Sequence, residues 1–197
     1  VLINQAIVYF KNEEGRYKEA GNIKNAVPFL HQDPDSDEIL GQCEESGRDQ
    51  GHATLCVSLM GAFCQMAYSI GEDLFAFDNY RAVAMAEYVG KYNLIKDEAF
   101  NKGTLVGDDF VYDSNSFPYT SYSNPSYTNA TISTDQRGTK RPAWELFYGY
   151  CKAKGISSIY SGKWAEQMRP DGGGGNYGPN SGGFDQLGFG TLMYYRE

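Results

Sequence analysis

The sequence is short of positive charge, of histidine and of long apolar runs. Among its 197 residues there are 2 histidines, and 17 lysines and arginines stand against 25 aspartates and glutamates, giving a formal net charge of −8. This balance disfavours nucleic acid as a partner, because phosphate binding needs a basic face. It leaves room for a small anionic ligand in a locally basic cleft. No apolar run reaches about 18 residues, so we predict no membrane span.

Several cofactor and catalytic motifs are also missing. Cys43, Cys56, Cys64 and Cys151 match neither a CxxC pair nor a zinc spacing. The glycine run at 172–175 lacks the Gly-Lys-Ser/Thr ending of a nucleotide-binding loop, and no Gly-x-Ser-x-Gly elbow appears. We therefore expect no metal and no other cofactor.

Aromatic residues are abundant. They make up 15% of the chain, with 16 tyrosines and 11 phenylalanines, so disorder is not expected. Aromatic faces stack on sugar rings while hydroxyl groups bond to the rim, which suits a carbohydrate ligand. The alternative is that the tyrosines simply pack the core and its edges. The length fits one domain.

The first half of the chain predicts helices. Residues 1–10 are apolar, and 53–70 are apolar on nearly every face, which is typical of a helix buried between other elements. A second helix is predicted over 77–92, where apolar residues recur at helical spacing. The helices at 53–70 and 77–92 should form a hairpin.

The second half mixes long loops with shorter helices. Residues 101–141 combine tyrosines with Ser, Asn, Thr and Pro, which favours an ordered loop lying over a cleft. A helix is predicted over 142–151, with Pro142 at its start and Gly155 closing it, and a shorter one over 164–168.

A polar segment at 46–52 directly precedes the buried helix. His52 can exchange a proton near neutral pH, and Arg48 can hold a carboxylate at a helix N-terminus. The alternative is a simple cap, in which Asp49 satisfies backbone donors and Arg48 is solvated. The presence of Arg, Gln and His together favours function. His31, the other histidine, is expected at the surface in a turn.

The most basic stretch of the chain is 137–148. Arg141 and Tyr148 are seven residues apart, about two helical turns, so both are able to face the same side of a helix. A solvated basic turn leading into a core aromatic helix is the equal alternative. With Arg48, these residues are where we expect an acidic chain to concentrate its cations for an anionic sugar.

Three motifs, in this order, resemble one family. ESGRDQGH (45–52), KRPAWELFYGY (140–150) and GGGGNYG…SGGFDQLGFGTL (172–192) are similar to segments of the alginate-lyase-like polysaccharide lyases. The resemblance covers about residue 41 to the end. It implies an all-α fold, an incomplete (α/α)n toroid of helical hairpins with long loops over the cleft. It also implies β-elimination on a uronic-acid polysaccharide, such as alginate or a related polyuronate, without a cofactor.

The resemblance carries site residues as well. It implies that His52, Tyr148 and Arg141 are catalytic, with Tyr148 transferring a proton and Arg141 as its electrostatic partner. The family's carboxylate-neutralising Asn has no counterpart that we place here. It implies substrate-binding roles for four further residues: Arg48, Gln50, Trp144 and Tyr150. Trp144 would either stack on a sugar or pack inside the protein, and Tyr150 is the substitute for Tyr148 as the proton-transferring tyrosine.

The chain departs from this family in length, since members are about twice as long. We therefore expect residues 1–197 to be a single domain, the C-terminal portion of a larger toroid whose N-terminal half is the natural partner. The substrate type implies a periplasmic or secreted location. Two alternatives remain, a non-catalytic carbohydrate-binding or scaffold protein of the same fold, and a glycoside hydrolase, which needs two opposed carboxylates.

Overall fold

The computed structural model describes residues 2–12, 22–124 and 127–169, and in this part the chain is mostly helical, as the sequence predicts. Two small antiparallel β-hairpins accompany the helices. The α-helices are α1 Leu2–Asn12, α2 Ile23–Ala26, α3 Gln50–Tyr68, α4 Phe77–Asn93, α5 Trp144–Lys154 and α6 Ile159–Met168. The strands are β1 Phe29–Gln32, β2 Ile39–Gln42, β3 Tyr122–Asn124 and β4 Tyr127–Asn129.

Helices α3 and α5 run in the same direction. Just before α5, Arg141 bonds to the carbonyl oxygen of Gly51 at the start of α3. Near the end of α5, Tyr150 packs edge-on against Tyr68, with ring centroids 5.7 Å apart. The start of α5 is therefore near the start of α3, and the end of α5 is near the end of α3.

Helices α4 and α6 run parallel in the same way and return against α3 and α5. The backbone N–H of Tyr160 at the start of α6 reaches Glu87, and Gln167 near its end donates to the carbonyl oxygen of Ile95 just beyond α4. The described core thus consists of two helical hairpins, α3–α4 and α5–α6. The first hairpin is the one the sequence predicts.

Aromatic residues fill the space between α4, α5 and α6. Trp144 and Trp164 stack with ring centroids 5.2 Å apart, and both are buried. The indole N–H of Trp164 donates to the carbonyl oxygen of Gly90 at 2.9 Å. Gly90 permits this close approach, because a Cβ there would lie only 3.2 Å from Trp144 and 3.3 Å from Tyr160.

The β-hairpins are a correction to the expected all-α chain. Strands β1 and β2 pair from Phe29–Gln42 to Gln32–Ile39, and β2 packs on α4. Gly41 makes this possible, since a Cβ there would approach the backbone nitrogen of Met85 to 2.9 Å. The sequence hides this hairpin because its strands are only four residues long.

A buried ion pair links the β1–β2 turn to α4. Lys91, which is 1% exposed, donates to the carboxylates of Asp33 and Asp35. Tyr160 on α6 donates its hydroxyl to Asp33 Oδ2 at 2.6 Å. Burial alone would raise the pKa of Asp33, but the hydrogen bonds from Lys91 and Tyr160 lower it to about 2.

One turn earlier on α4, Glu87 closes the start of α6. Its carboxylate accepts the backbone N–H groups of Tyr160 and Ser161 at 2.8 and 3.0 Å. These are donors that a helix start leaves without an intrahelical partner. Glu87 is 1% exposed, and this burial raises its pKa to about 7.

Candidate functional site

The start of α3 holds an aspartate–histidine pair. Asp49 is the N-cap, and its Oδ1 accepts the backbone N–H of His52 at 2.8 Å. Its Oδ2 lies 2.6 Å from Nδ1 of the same imidazole. A carboxylate only accepts, so Nδ1 carries the proton and neutral His52 has a lone pair at Nε2. The His52 side chain is 40% exposed and Asp49 is 7% exposed, so the base lies at the surface while its orienting group lies below.

Arg48 stands beside this pair. Its Nε lies 3.6 Å from Asp49 Oδ2 and its Nη1 lies 3.4 Å from Glu45 Oε2. The side chain is 46% exposed, so these contacts are loose surface ion pairs. An anionic ligand at this helix N-terminus would therefore meet an accessible guanidinium as well as the positive end of the helix dipole.

Gln50 has a different place from the one expected. It is 1% exposed, and its Nε2 donates to the carbonyl oxygens of Ser46 and Ser133 at 2.9 and 3.0 Å. Its Oε1 accepts from Asn93 at 2.9 Å. Because every polar atom of the amide has a partner inside the protein, the geometry supports the role of positioning His52 over that of touching substrate.

Two loops pack against the segment that carries His52. The backbone N–H of Ser133 donates to the carbonyl oxygen of Ser46, and that of Gln50 donates to Asp135, both at 2.9 Å. These bonds fix part of the predicted 101–141 loop on the start of α3. The loop residues in contact with this segment therefore belong to the candidate site.

The two glycines of the motif are explained by this packing. A Cβ on Gly47 would lie 2.3 Å from both the Tyr119 hydroxyl oxygen and Asn129 Cβ. A Cβ on Gly51 would lie 2.2 Å from Oε1 of Gln136. The absence of side chains at both positions lets the loops approach the segment on either side of Arg48 and Asp49.

Arg141 reaches the same turn of α3 as His52. It is 7% exposed, and its guanidinium donates to Thr54 Oγ1 and to the carbonyl oxygen of Gly51, both at 3.3 Å. It thus ties the start of α5 to the first turn of α3. Its contacts with Gly51 and Thr54 lie within two residues of His52 in the sequence, and the joint role of Arg141 and His52 stays a prediction.

Tyr148 lies elsewhere. A Cβ on Gly162 of α6 would come within 3.1 Å of its ring, and the Arg169 guanidinium lies 5.7 Å from its ring centroid. The side of α5 that contacts α3 includes Leu146 and Phe147, which lie against Gly61, and Tyr150, which packs on Tyr68. The expected convergence of Tyr148 with His52 is therefore not seen among the described contacts, because Tyr148 is on the face of α5 that packs on α6.

Two further aromatic residues are buried. Trp144 is 1% exposed in its stack with Trp164, so of its two predicted roles it packs inside the protein. Tyr150 is 2% exposed and donates its hydroxyl to Asp73 Oδ2 at 3.0 Å. Burial, together with Asp73, raises the pKa of Tyr150 far above its usual range, so this hydroxyl holds its proton and is an unsuitable base.

Tyr119 is the tyrosine that contacts the His52 segment. It is half-buried, it donates to the backbone carbonyl oxygen of Asn129 at 3.2 Å, and burial raises its pKa. Asn129 Nδ2 is buried and has no hydrogen-bond partner among the described residues. No spacing rule pointed to either residue, because the loop brings them to Gly47 from over 70 positions along the chain.

Within residues 2–12, 22–124 and 127–169, no group of three or more His, Cys, Asp or Glu side chains is placed to bind a metal ion. In the same ranges no helix combines the length and the apolar character needed to cross a bilayer. The four cysteines are free thiols.

The third motif, at 172–192, lies outside the described residues. Comparisons with protein-family models, with curated proteins and with solved structures give no match to this chain. The family resemblance therefore stays a prediction from the motifs, and function has to be argued from the residues at the start of α3.

Proposed function

We propose that this chain acts in β-elimination on a uronic-acid-containing polysaccharide, with His52 as the base. The observation that carries the proposal is the 2.6 Å contact between Asp49 Oδ2 and Nδ1 of a half-exposed imidazole. A base whose far nitrogen is fixed by a buried carboxylate is an arrangement that favours proton abstraction. The motif resemblance supplies the substrate class.

The elimination balances without any added reactant. His52 Nε2 takes the C5 proton of the uronate, and the released electron pair forms a C4–C5 double bond. The bond from C4 to the glycosidic O4 breaks, and O4 takes a proton. The C5 proton is poorly acidic beside a charged carboxylate, so that carboxylate must be neutralised. Arg48, exposed and next to the pair, is the described cation best placed for this.

Tyr119 is our candidate for the proton donor to O4. A phenol is protonated at neutral pH and can therefore donate a proton, and the Tyr119 hydroxyl lies against Gly47 in the same segment. Tyr148, the tyrosine implied by the resemblance, has its described contacts on α6. The two tyrosines are therefore alternatives that an experiment separates.

The proposal extends to the architecture. In a toroid of helical hairpins, equivalent helices of successive hairpins run parallel, as α3 and α5 do, and α4 and α6 do. On this basis we propose that residues 1–197 form one domain within a larger (α/α)n toroid. Its location would be periplasmic or secreted, where such polymers are found.

The hydrolase alternative has less support. It needs two opposed carboxylates. Asp49 is engaged by His52, while Glu145 is 3% exposed and accepts from Arg169 at 2.6 Å. A non-catalytic carbohydrate-binding protein remains the second candidate, since aromatic and hydroxyl side chains surround the same segment.

Product analysis separates the three functions. The chain is incubated with alginate, glucuronan and related polymers while ultraviolet absorbance and reducing ends are both followed. Elimination raises both signals, because the new C4–C5 double bond absorbs. Reducing ends without absorbance would instead establish hydrolysis, and binding with neither signal would establish a non-catalytic protein.

A pair of matched variants assigns the proton donor. Tyr119→Phe and Tyr148→Phe each remove one hydroxyl and keep the ring. We expect Tyr119→Phe to slow elimination about 100-fold and Tyr148→Phe to leave it within about twofold. The reverse result would return the role to Tyr148.

A further inference from the structure

Two adjoining clefts lie on the loops that clamp α3. The first has a volume of about 750 Å³ and is lined mainly by residues 102–107 and 136–140. The second, of about 500 Å³, is lined by residues of 114–119 and 130–134. Ser114 and Thr134 line both clefts, so the two form one elongated groove, here named the loop groove.

The loop groove runs beside the segment that carries Asp49 and His52. Gln136 lines its first cleft and lies against Gly51. Tyr119 lines its second cleft and lies against Gly47. One wall residue from each half of the groove therefore contacts the candidate site, on either side of the Asp49–His52 pair.

The charge of the groove is opposite to that of the chain. Its lining residues include three cations, Lys102, Arg137 and Lys140, and none of those identified is an aspartate or glutamate. Lys102 pairs with Asp109, which is not a lining residue. Lys140 donates to the carbonyl oxygen of Phe100, and Arg137 to those of Tyr92 and Tyr112. Carbonyl acceptors do not neutralise Lys140 or Arg137, whereas the carboxylate of Asp109 neutralises Lys102 and the charge of Asp113 acts on Arg137.

A third cleft provides the contrast within the same molecule. It has a volume of about 630 Å³, and its lining includes three carboxylates and two lysines: Asp97, Glu98, Glu166, Lys96 and Lys163. A basic lining is thus a property of the loop groove and not of every cleft in the described part of this acidic chain.

The remaining lining of the loop groove suits a sugar. Hydroxyl groups come from Thr104, Ser114, Thr134 and Thr139 and can exchange hydrogen bonds with the sugar rim. Of the aromatic lining residues, Phe110 and Phe117 are buried in the wall, and Tyr119 is half-buried. A combination of cations and hydroxyls with one partly exposed ring fits a chain of acidic sugars better than it fits a purely apolar ligand.

We propose that the loop groove binds several consecutive residues of an acidic oligosaccharide, with Lys140 facing its carboxylates. The proposal rests on the proposed function in assuming a uronic-acid ligand, and it adds where that ligand lies. The groove would present the polymer to His52 along the Gly47–Gly51 segment. Arg137, held between the Tyr92 and Phe110 rings at 4.0 and 4.1 Å from their centroids, supplies fixed charge to the wall.

Equilibrium binding tests this independently of catalysis. His52→Ala is titrated by calorimetry with a uronate hexasaccharide and with a neutral hexasaccharide of glucose. We expect the uronate to bind and the neutral sugar to bind at least tenfold more weakly. Lys140→Gln should weaken uronate binding about tenfold, since one desolvated charge contact is lost. Lys163→Gln, from the contrasting cleft, should bind as the parent protein does.

The outcomes separate this proposal from the lyase proposal. Uronate binding that depends on Lys140, in a protein without elimination activity, would support the groove proposal and contradict the lyase proposal. Elimination activity whose KM is unchanged by Lys140→Gln would support the enzyme proposal and contradict the groove proposal. Equal affinity for the neutral sugar, or no binding of either, would also overturn it.

Discussion

Two carboxylates close two helix starts in this protein, and their surroundings differ. Glu87 on α4 uses both oxygens on backbone N–H groups of α6 and is 1% exposed. Asp49 uses one oxygen on the backbone N–H of His52 and the other on the imidazole of that residue, which is 40% exposed. At α6 both oxygens of the capping carboxylate accept backbone N–H groups. At α3 only one oxygen does so, which leaves the other free to accept from a side chain.

This difference distinguishes polar groups that stabilise the fold from polar groups that belong to the candidate site. Along α4, Glu87 and Lys91 have all their partners inside the protein, so their chemistry stabilises the packing of α4 against α6 and the β1–β2 turn. At the start of α3, the spare oxygen of Asp49 orients a base at the surface. The interior polar groups should therefore affect stability, and the α3 groups should affect activity.

The largest stability effect is expected at Lys91. Lys91→Met leaves the buried Asp33 carboxylate without its cation, which should lower the free energy of unfolding by about 3–5 kcal/mol. Lys102→Met breaks the ion pair of a half-exposed lysine with Asp109 and should cost much less, because water screens an exposed ion pair. Urea denaturation of both variants measures the difference. Equal losses in the free energy of unfolding would show that the buried Lys91–Asp33 pair does not stabilise the fold more than an exposed ion pair does.

Glu87 should make stability depend on pH. Its pKa in the folded protein, about 7, is above the ordinary value of 4.5, so its contribution is complete below pH 4.5 and is lost as the pH rises through 7. The expected loss is about 3 kcal/mol. Denaturation curves of the wild type between pH 4.5 and 8 should show this decline. Glu87→Gln should flatten it, and an unchanged slope in that variant would contradict the assignment.

Asp49→Asn should damage activity more than stability. Asn caps helices as well as Asp does, so the free energy of unfolding should change by less than about 1 kcal/mol. The amide donates to Nδ1 where the carboxylate accepted, which moves the imidazole proton to Nε2 and removes the base. We expect elimination to slow about 100-fold or more. A variant that is unfolded, or one that is fully active, would break the distinction between the two carboxylates.

The two motif glycines give the smallest and most selective effect. Gly47→Ala meets Asn129 Cβ and the Tyr119 hydroxyl, and should cost about 1–3 kcal/mol because the loop has to move. Gly51→Ala meets the end of the flexible Gln136 side chain and, at 3.1 Å, Asp49 Oδ1, and it gains helix propensity, so its cost should be smaller than that of Gly47→Ala. Thermal unfolding of the pair measures this. A larger loss of stability for Gly51→Ala than for Gly47→Ala would contradict the loop contacts described at these two glycines.

Periodicity predicted the helices well and their ends less well. The apolar run at 53–70 corresponds to α3, Gln50–Tyr68, and the pattern at 77–92 corresponds to α4, Phe77–Asn93. The short helix expected at 164–168 begins five residues earlier, at Ile159, because its start is capped by Glu87, which is distant in sequence. Long-range pairing also created the β1–β2 hairpin, whose strands are too short to show alternation.

The candidate site was predictable in place but not in the roles of its members. The polar segment before α3 predicts His52 and Arg48 as functional residues, with Asp49 as a helix cap in the alternative interpretation. Asp49 is the cap, and it also contacts the His52 imidazole, which the sequence did not predict. Burial decided the roles of Gln50 and Trp144, and burial depends on which helix each residue faces. Tyr119 came from a loop whose path no local pattern specifies.

The most direct test of the central claim compares the two histidines. The initial rate of the ultraviolet absorbance increase is measured on a uronic-acid polymer for His52→Ala and for His31→Ala, whose ring lies 3.0 Å from Gln42 in the β1–β2 hairpin. The account predicts a loss of at least about 100-fold for His52→Ala, with His31→Ala within about twofold of the wild type. A folded His52→Ala protein that retains the full rate would contradict it.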